Sequence, residues 1–273
     1  MAIEIFNRYE NKYLIPITIY EKLQSRLSDY MEADAFNKNG KTYTICNIYY
    51  DTADSHLIRT SLQKPAYKEK LRLRSYGMAE TDTKVFVEIK KKVRGLVNKR
   101  RSGMTYAVAE EFLRTEVSPA ITEDMNEQVL HEVSYLLSHK HLQPRLYLAY
   151  ERMAWFGTGA HDVRVSFDSK IVSRRSHLSL TAAIEGNALL PADVRLMEIK
   201  VARSIPLWLS RLLSEYRIYP TSFSKYGREY QKQLVYQSNE RDLSSALTGT
   251  IEQTLANNPA ATTPNYEGEY KYA

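Results

Sequence analysis

Tyr67-Lys68-Glu69-Lys70-Leu71-Arg72-Leu73-Arg74 sets a cation at every second residue: Lys68, Lys70, Arg72 and Arg74 share one parity, while Glu69, Leu71 and Leu73 take the other. Successive side chains of a β-strand point to opposite faces, so this spacing predicts a strand with one strongly basic face. Three further stretches repeat it: Arg8/Glu10/Lys12, Glu88/Lys90/Lys92 and Glu198/Lys200, the last two set among Val, Phe, Ile, Leu and Met. A solvated outer face calls for charges of mixed sign with Thr, Ser and Gln between them. Here the charges are mostly basic, with a single carboxylate in most of the sets. That pattern suits the inside of a wet, basic barrel whose guest is a polyanion. The alternative is the exposed face of an ordinary open sheet.

Outward from this stretch, residues 4–14 read as a strand stopped by Pro16, and Ile19, Leu23, Leu27 and Tyr30 then recur at helical spacing. Thr42–Asp51 is β-branched and aromatic, and a short helical piece follows at Ser55–Leu62. Tyr67–Tyr76 and Thr83–Val93 form an antiparallel pair joined through Gly77–Asp82, and Leu96–Ser102 continues the meander past Gly95. Helical patterns cover 105–115 and 124–140. Strands Arg145–Phe156, Asp162–Asp168 and Val194–Val201 come next, then helices at 205–216 and 222–234. About eight strands with interspersed helices predict an α+β domain over residues 1–236. From 237 to 273 the chain turns to Ser, Asn, Ala, Thr and Pro and reads as a mobile, low-complexity tail, with one weak helix at Ser244–Leu255.

A chain of 273 residues with 43% hydrophobic content can bury one sizeable core, and its net charge of +6 favours an acidic partner. Cys46 is the only cysteine, which excludes an internal disulfide and a Cys-based zinc site. The start has no apolar leader, and no run of about 18 apolar residues occurs, so a soluble, cytoplasmic protein is expected. The 21 tyrosines against 7 phenylalanines suit half-buried strands, where the ring packs and the hydroxyl reaches water or a ligand. Phosphate-binding G-x-x-x-x-G-K-[ST] and G-x-G-x-x-G loops, G-x-S-x-G and H-E-x-x-H are all absent; His131-Glu132 lacks its second histidine. His139 and His141 read as surface residues, and Cys46 as a small core residue.

The lysines, arginines and scattered glutamates remain. Burying unpaired charge is prohibitively costly, so a basic interior must hold water, anions or both. Arginine forks and lysine point charges are natural ligands for phosphoryl oxygens. A carboxylate amid so many cations repels phosphate unless a divalent metal bridges the two, and Glu198 beside Lys200 or Glu88 beside Lys90 fits that role. Chemistry of this type rests on positioning and charge neutralisation.

The motifs also occur in a telling order. Arg-Tyr-Glu-Asn-Lys-Tyr (8–13), Tyr-Tyr-Asp-Thr (49–52), Lys-Leu-Arg-Leu-Arg (70–74), Val-Glu-Ile-Lys-Lys-Lys (87–92) and Asn-Lys-Arg-Arg (98–101) come first. Tyr-Glu-Arg-Met-Ala-Trp-Phe (150–156), Val-Arg-Val-Ser-Phe-Asp (163–168), Met-Glu-Ile-Lys (197–200) and Phe-Ser-Lys-Tyr-Gly-Arg (223–228) follow. Together, over about residues 4–234, they resemble the catalytic domain of the vacuolar transporter chaperone (VTC) family, one of the triphosphate tunnel metalloenzymes. The resemblance implies a closed antiparallel β-barrel forming a basic tunnel, with flanking helices. It implies synthesis of inorganic polyphosphate from the terminal phosphate of ATP, with Mn²⁺ or Mg²⁺ as cofactor. Carried over motif by motif, it implies phosphate-handling roles for Lys12, Arg72, Arg74, Lys90, Arg152 and Lys225, and metal binding by Glu198. Glu10, Lys70, Glu88, Lys99, Arg101, Arg164, Lys200 and Tyr226 complete the expected substrate-binding set.

The wider superfamily opens on E-x-E-x-K, which appears here as Arg8-x-Glu10-x-Lys12. Exchanging a carboxylate for a cation should move the tunnel from metal-dependent hydrolysis towards polyanion retention. The chain resembles the stand-alone prokaryotic form, acting by itself or with a separate membrane protein that would hold it at the inner face of the membrane. A triphosphate or polyphosphate hydrolase and a non-catalytic polyphosphate-binding module are the alternatives. Nucleic acid is disfavoured as a partner, because the basic residues alternate within strands and do not cluster in a tail or helix.

Overall fold

The structure, a computed structural model, describes residues 9–37, 40–94, 96–158 and 163–239; Arg8, Gly95 and the expected helix at Ser244–Leu255 lie outside them. The alternating stretch folds as the strand its spacing predicts, β4 (Tyr67–Tyr76). Glu69, Leu71 and Leu73 are buried on one face, and Lys68, Lys70 and Arg72 line the other. Around it run β1 (Tyr9–Pro16), α1 (Ile17–Leu27), β2 (Met31–Ala33), β3 (Tyr43–Asp51) and α2 (His56–Leu62). After β4 come β5 (Lys84–Val93), β6 (Leu96–Thr105), α3 (Tyr106–Thr115), α4 (Glu127–Lys140) and β7 (Gln143–Gly157). β8 (Val163–Arg174), β9 (Asn187–Ala188), β10 (Val194–Val201) and α5 (Leu207–Glu215) follow. Two compact units are distinguished, Met1–Glu229 and Tyr230–Ala273. The first ends in helical residues 225–229 (α6), and residues 230–239 of the second are also helical.

All strand pairs are antiparallel, in the order β1-β10-β8-β7-β3-β4-β5-β6, with β2 added to β7 and β9 to β8. The eight strands of the main path are the eight that the periodicity predicts. The sheet rolls up strongly. From β1 to β5 the path takes six ladder steps, which in a flat sheet would separate them by about 29 Å. Yet Glu10 of β1 meets Lys90 of β5 at 3.4 Å.

The expected closed barrel is corrected by the pairing itself: among the described residues no ladder joins β6 to β1. The outer edge of β1 is engaged differently. Its Lys12 carbonyl accepts from the backbone N–H of Thr221 at 2.7 Å, and the Lys12 ammonium donates to the Phe223 carbonyl at 3.0 Å. The chain segment before α6 thus takes a backbone carbonyl of the β1 edge that closure would have used.

Charge and hydrophobicity largely separate across the sheet, the outer face keeping a few paired charges, Glu69 with Lys140 and Lys91 and Arg100 with Glu132. Leu71, Leu73, Val85, Val87 and Ile89 pack with Phe112, Leu113, Val129, Leu130, Val133 and Leu137 of α3 and α4. On the other half, Tyr13, Ile15, Val165, Phe167, Met197 and Ile199 pack with Leu23 and Leu27 of α1 and with Leu209 and Leu212 of α5. Each such side chain contributes roughly 1.5–3 kcal/mol when fully buried. Both cores therefore lie on the outer face, and the residues of opposite parity are left to line the inner one. Local signals fix the covering helices. Asn126 caps α4 by accepting from Val129 N–H at 3.1 Å, and His139 and Lys140 stand in its last turn, where cations suit the helix dipole. α2 is capped from the sheet: the Asp51 carboxylate accepts from Leu57 and Ile58 N–H at 2.8 and 3.0 Å.

Candidate phosphate-binding site

The inner face gathers its charges around two buried carboxylate centres. In the first, Arg72 of β4, Glu88 of β5 and Arg101 of β6 stand in one cross-strand row. Arg72 donates through Nε to Glu88 Oε2 at 2.7 Å, Lys99 Nζ reaches Oε1 at 2.5 Å, and Arg74 Nε lies 3.7 Å away. Asn47 and Tyr49 of β3 steer the two arginines: Arg74 Nε donates to Asn47 Oδ1 at 2.9 Å and Arg72 Nη1 to the Tyr49 hydroxyl at 3.1 Å.

Glu198 of β10 is the second centre. Lys200, Lys225, Lys12 and Arg152 place nitrogens 2.9, 3.3, 3.6 and 3.7 Å from its oxygens. Asp168 of β8 supports the same group, fully buried, taking both arms of the Arg152 fork at 2.7 and 2.8 Å and Lys225 Nζ at 2.5 Å. Glu10 joins the centres, 3.3 Å from Lys12 and 3.4 Å from Lys90, and Lys90 stands between Lys70 and Lys99 in the ladders. Lys12, Lys70, Arg72, Arg74, Lys90, Lys99, Arg152, Lys200 and Lys225 are thus nine formal cations against four carboxylates. That formal surplus suits an anionic guest.

The ionisation of individual groups reflects it. Burial opposes charge on Glu88 and Glu198, yet their cationic neighbours hold both carboxyls well below the usual range. Glu10 is likewise held at about 2 against its burial by Lys90, Lys200 and Lys12. Lys70 is pushed the other way, down to about 7, by burial and then by Lys12, Lys90, Lys68 and Arg72. Its ammonium donates to the Ser224 hydroxyl at 3.2 Å. Burial also lowers Lys99, to about 8, with Arg72 and Arg74 adding to the effect and Glu88 opposing it.

Charging Lys70 in the apo protein therefore costs stability fully below about pH 7 and nothing above the ordinary lysine value. An anion at this site removes the penalty and draws in a proton. At pH 8, binding inorganic triphosphate should take up as much as about one proton more in the wild type than in Lys70→Met. Calorimetry in buffers of different ionisation heat reads that difference, and identical buffer dependence in the two proteins would contradict it.

The remaining expected residues sit at the margins of these centres. Arg164 faces Lys200 across the β8–β10 ladder, and its guanidinium lies 3.6 Å from Asp34 and over Phe156. Arg101 lies over the Phe86 ring at 4.6 Å. Tyr226 spends its hydroxyl on Asp51, donating to Oδ2 at 2.9 Å, while its ring lies 5.2 Å from Tyr49. Asp51 thereby ties the first turn of α6, which carries Lys225, to the cap of α2. Asp168, Asn47, Tyr49 and Asp51 are not among the expected site residues, nor is Tyr150, whose hydroxyl accepts from Arg74 Nη2 at 3.3 Å. The signal for Asp168 was present in Val163–Asp168, where Arg164, Ser166 and Asp168 alternate with Val163, Val165 and Phe167.

The model of the VTC domain matches residues 7–234, most of the chain and all of the site just described. The chain belongs to the VTC domain family. No curated protein matches this VTC domain. Among solved structures, a candidate adenylate cyclase from Bacillus halodurans aligns at TM-score 0.47 and 15% identity, over 80% of this chain and 95% of that one. A protein from Pyrococcus horikoshii aligns at 0.40 and 12%, over 83% and 99%. A candidate adenylyl cyclase from Hippeastrum, described as having a dominant triphosphatase activity, aligns at 0.41 and 13%, over 81% and 93%. Likeness at this level leaves the function of the VTC domain to its own residues. Among the described residues no helix is long and apolar enough to cross a membrane.

Proposed function

We propose that this VTC domain is a polyphosphate polymerase, which transfers the γ-phosphoryl group of ATP to the end of a growing phosphate chain threaded along the rolled inner face as through a tunnel. The observation that supports it is the surplus of buried and half-buried cations gathered around two buried carboxylate centres on one continuous face. A phosphate chain presents negative charge at every repeat, and such a face can neutralise several repeats at once. Arg72, Arg74, Lys90 and Lys99 take phosphoryl oxygens at one centre, and Lys12, Arg152, Lys200 and Lys225 at the other. In the transfer, an ionised terminal oxygen of the chain attacks the γ-phosphorus. The bond to the bridging oxygen breaks, and its electron pair leaves with ADP. The chain oxygen attacks directly, without a protein nucleophile, and because it is already ionised no general base is needed.

Hydrolysis would instead require an activated water. Glu10, Glu88 and Glu198 are held so far towards the ionised form that they are poor proton acceptors. A metal-bound water would not need such an acceptor, so the products formed separate synthesis from hydrolysis.

Mn²⁺ or Mg²⁺ fits the Glu198 centre in one form. Among the described residues no three His, Cys, Asp or Glu converge, so a protein-only cage is absent. A hard cation bound with substrate needs only one or two carboxylates, phosphate oxygens completing the shell. Glu198 supplies one, and Ser166, directly opposite it in the β8–β10 ladder, has a buried hydroxyl without a hydrogen-bond partner. A metal held there would neutralise charge on the transferring phosphoryl group. The reading implies a cytoplasmic protein, working alone or held at the inner face of the membrane by a separate partner.

Incubation with ATP and Mn²⁺, followed by separation of the products on a gel, tests the proposal. Long-chain phosphate is the expected product. Free phosphate alone would make the domain a hydrolase, and unchanged ATP would make it a binding module.

A further inference from the structure

We propose that Phe36, Tyr43, Tyr76 and Phe86 form a stacking platform for the base of a nucleoside triphosphate, which assigns one end of the rolled face to nucleotide entry. The inference rests on the phosphate-site reading and adds a subsite to it. Tyr43, Tyr76 and Phe86 share the inner face with the charged centres. Tyr43 stands opposite Arg152 in the β3–β7 ladder, Phe86 opposite Arg74, and Tyr76 two residues beyond Arg74 on the same strand. Two residues of strand span about 6.6 Å, comparable with the reach of the ribose that separates a base from its α-phosphate.

The rings form one group. Phe36 lies 6.1 Å from Tyr43 and 6.4 Å from Tyr76, and Tyr76 lies 6.0 Å from both Tyr43 and Phe86. Phe36 is 77% exposed and Tyr76 46%, so the group presents open ring surface and is not a closed core. The exposed phenyl ring is also held on a braced turn. Asn37, buried, donates to the carbonyls of Lys41 and Arg152 at 2.9 Å each and accepts from Ala154 N–H at 2.8 Å, and Phe36 N–H donates to Asp34 Oδ1 at 3.1 Å. A preorganised, exposed aromatic beside a cationic phosphate site has the form of a base platform.

The two ends of the face differ in chemistry. At the far end of β4 and β5, Lys68 pairs with Lys92 and Lys70 with Lys90. Lysines there suit a phosphate chain and give a base nothing to stack on. Every base has a π-face, so a platform of rings predicts little discrimination between adenine and guanine.

The test compares ATP, GTP and inorganic triphosphate binding to the wild type and to the double variant Phe36→Ala/Tyr76→Ala, by competition without metal. Both side chains are solvent-exposed, and thermal melting of the variant checks that it folds. The variant should lose about 5- to 100-fold in affinity for both nucleotides and keep its triphosphate affinity. Unchanged nucleotide affinity would overturn the platform and leave the rings as a surface for another partner, and an equal loss for triphosphate would make them structural. If the wild type bound nucleotides but not triphosphate, and the variant lost them, the platform would stand and the phosphate-site reading would fall.

Discussion

Glu198→Gln should reduce chain synthesis by roughly 10²- to 10⁴-fold while leaving triphosphate affinity unchanged or higher. Four cationic nitrogens lie within 3.7 Å of this carboxylate, so removing its charge frees them for phosphate. What the variant lacks is the carboxylate proposed to hold a divalent cation against the phosphates. Binding and turnover should therefore move apart, which the loss of an ordinary structural residue would not produce. Wild-type turnover in the variant would remove Glu198 from the metal role.

Glu88→Gln should give a large loss of apo stability. Glu88 is 1% exposed, and among the described residues it is the carboxylate paired with Arg72 and Lys99, with Arg74 close by. Taking the negative partner from a buried pair costs about 3–5 kcal/mol, and the lower end applies because Arg72 and Lys99 keep partial contact with water. For a domain of this size that lowers the melting temperature by roughly 6–12 °C. Triphosphate should restore most of the loss, since its oxygens replace the missing carboxylate. A melting temperature unchanged without ligand would mean that water already compensates the three cations.

This result revises what the alternation alone implies for Arg72. Read from spacing, the arginines face a wet, self-repelling surface. In the fold, Arg72 is locked onto a buried glutamate of the next strand, and the repulsion is stored around Lys70. Parity decides which face a side chain joins, but its partner depends on cross-strand register, which the spacing within one strand does not encode. The same limit explains Asp168: its face was readable, its pairing with Arg152 and Lys225 was not. β8 extends to Arg174, beyond the Asp168 that the pattern predicts: its ladder with β7 shifts register, leaving Lys170 and Ile171 between the pairs Glu151–Ser169 and Ala149–Val172, with Lys170 at a positive φ of 46°. Short β2 and β9 carry no period to detect. Closure depends on what occupies the edge of β1, and that is a segment more than 200 residues later in the chain.

The most direct test of the inner face as a polyanion site is the melting temperature of the wild-type protein with inorganic triphosphate and with chloride at matched ionic strength. With nine formal cations against four carboxylates, the ligand-free form is expected to be the least stable one. At a hundredfold excess over its dissociation constant, triphosphate should stabilise the fold by about 2.7 kcal/mol, a shift of roughly 5–11 °C. Chloride should do far less, because screening supplies no directed bonds to phosphoryl oxygens. Equal shifts from the two would contradict the account and leave only a generally basic protein.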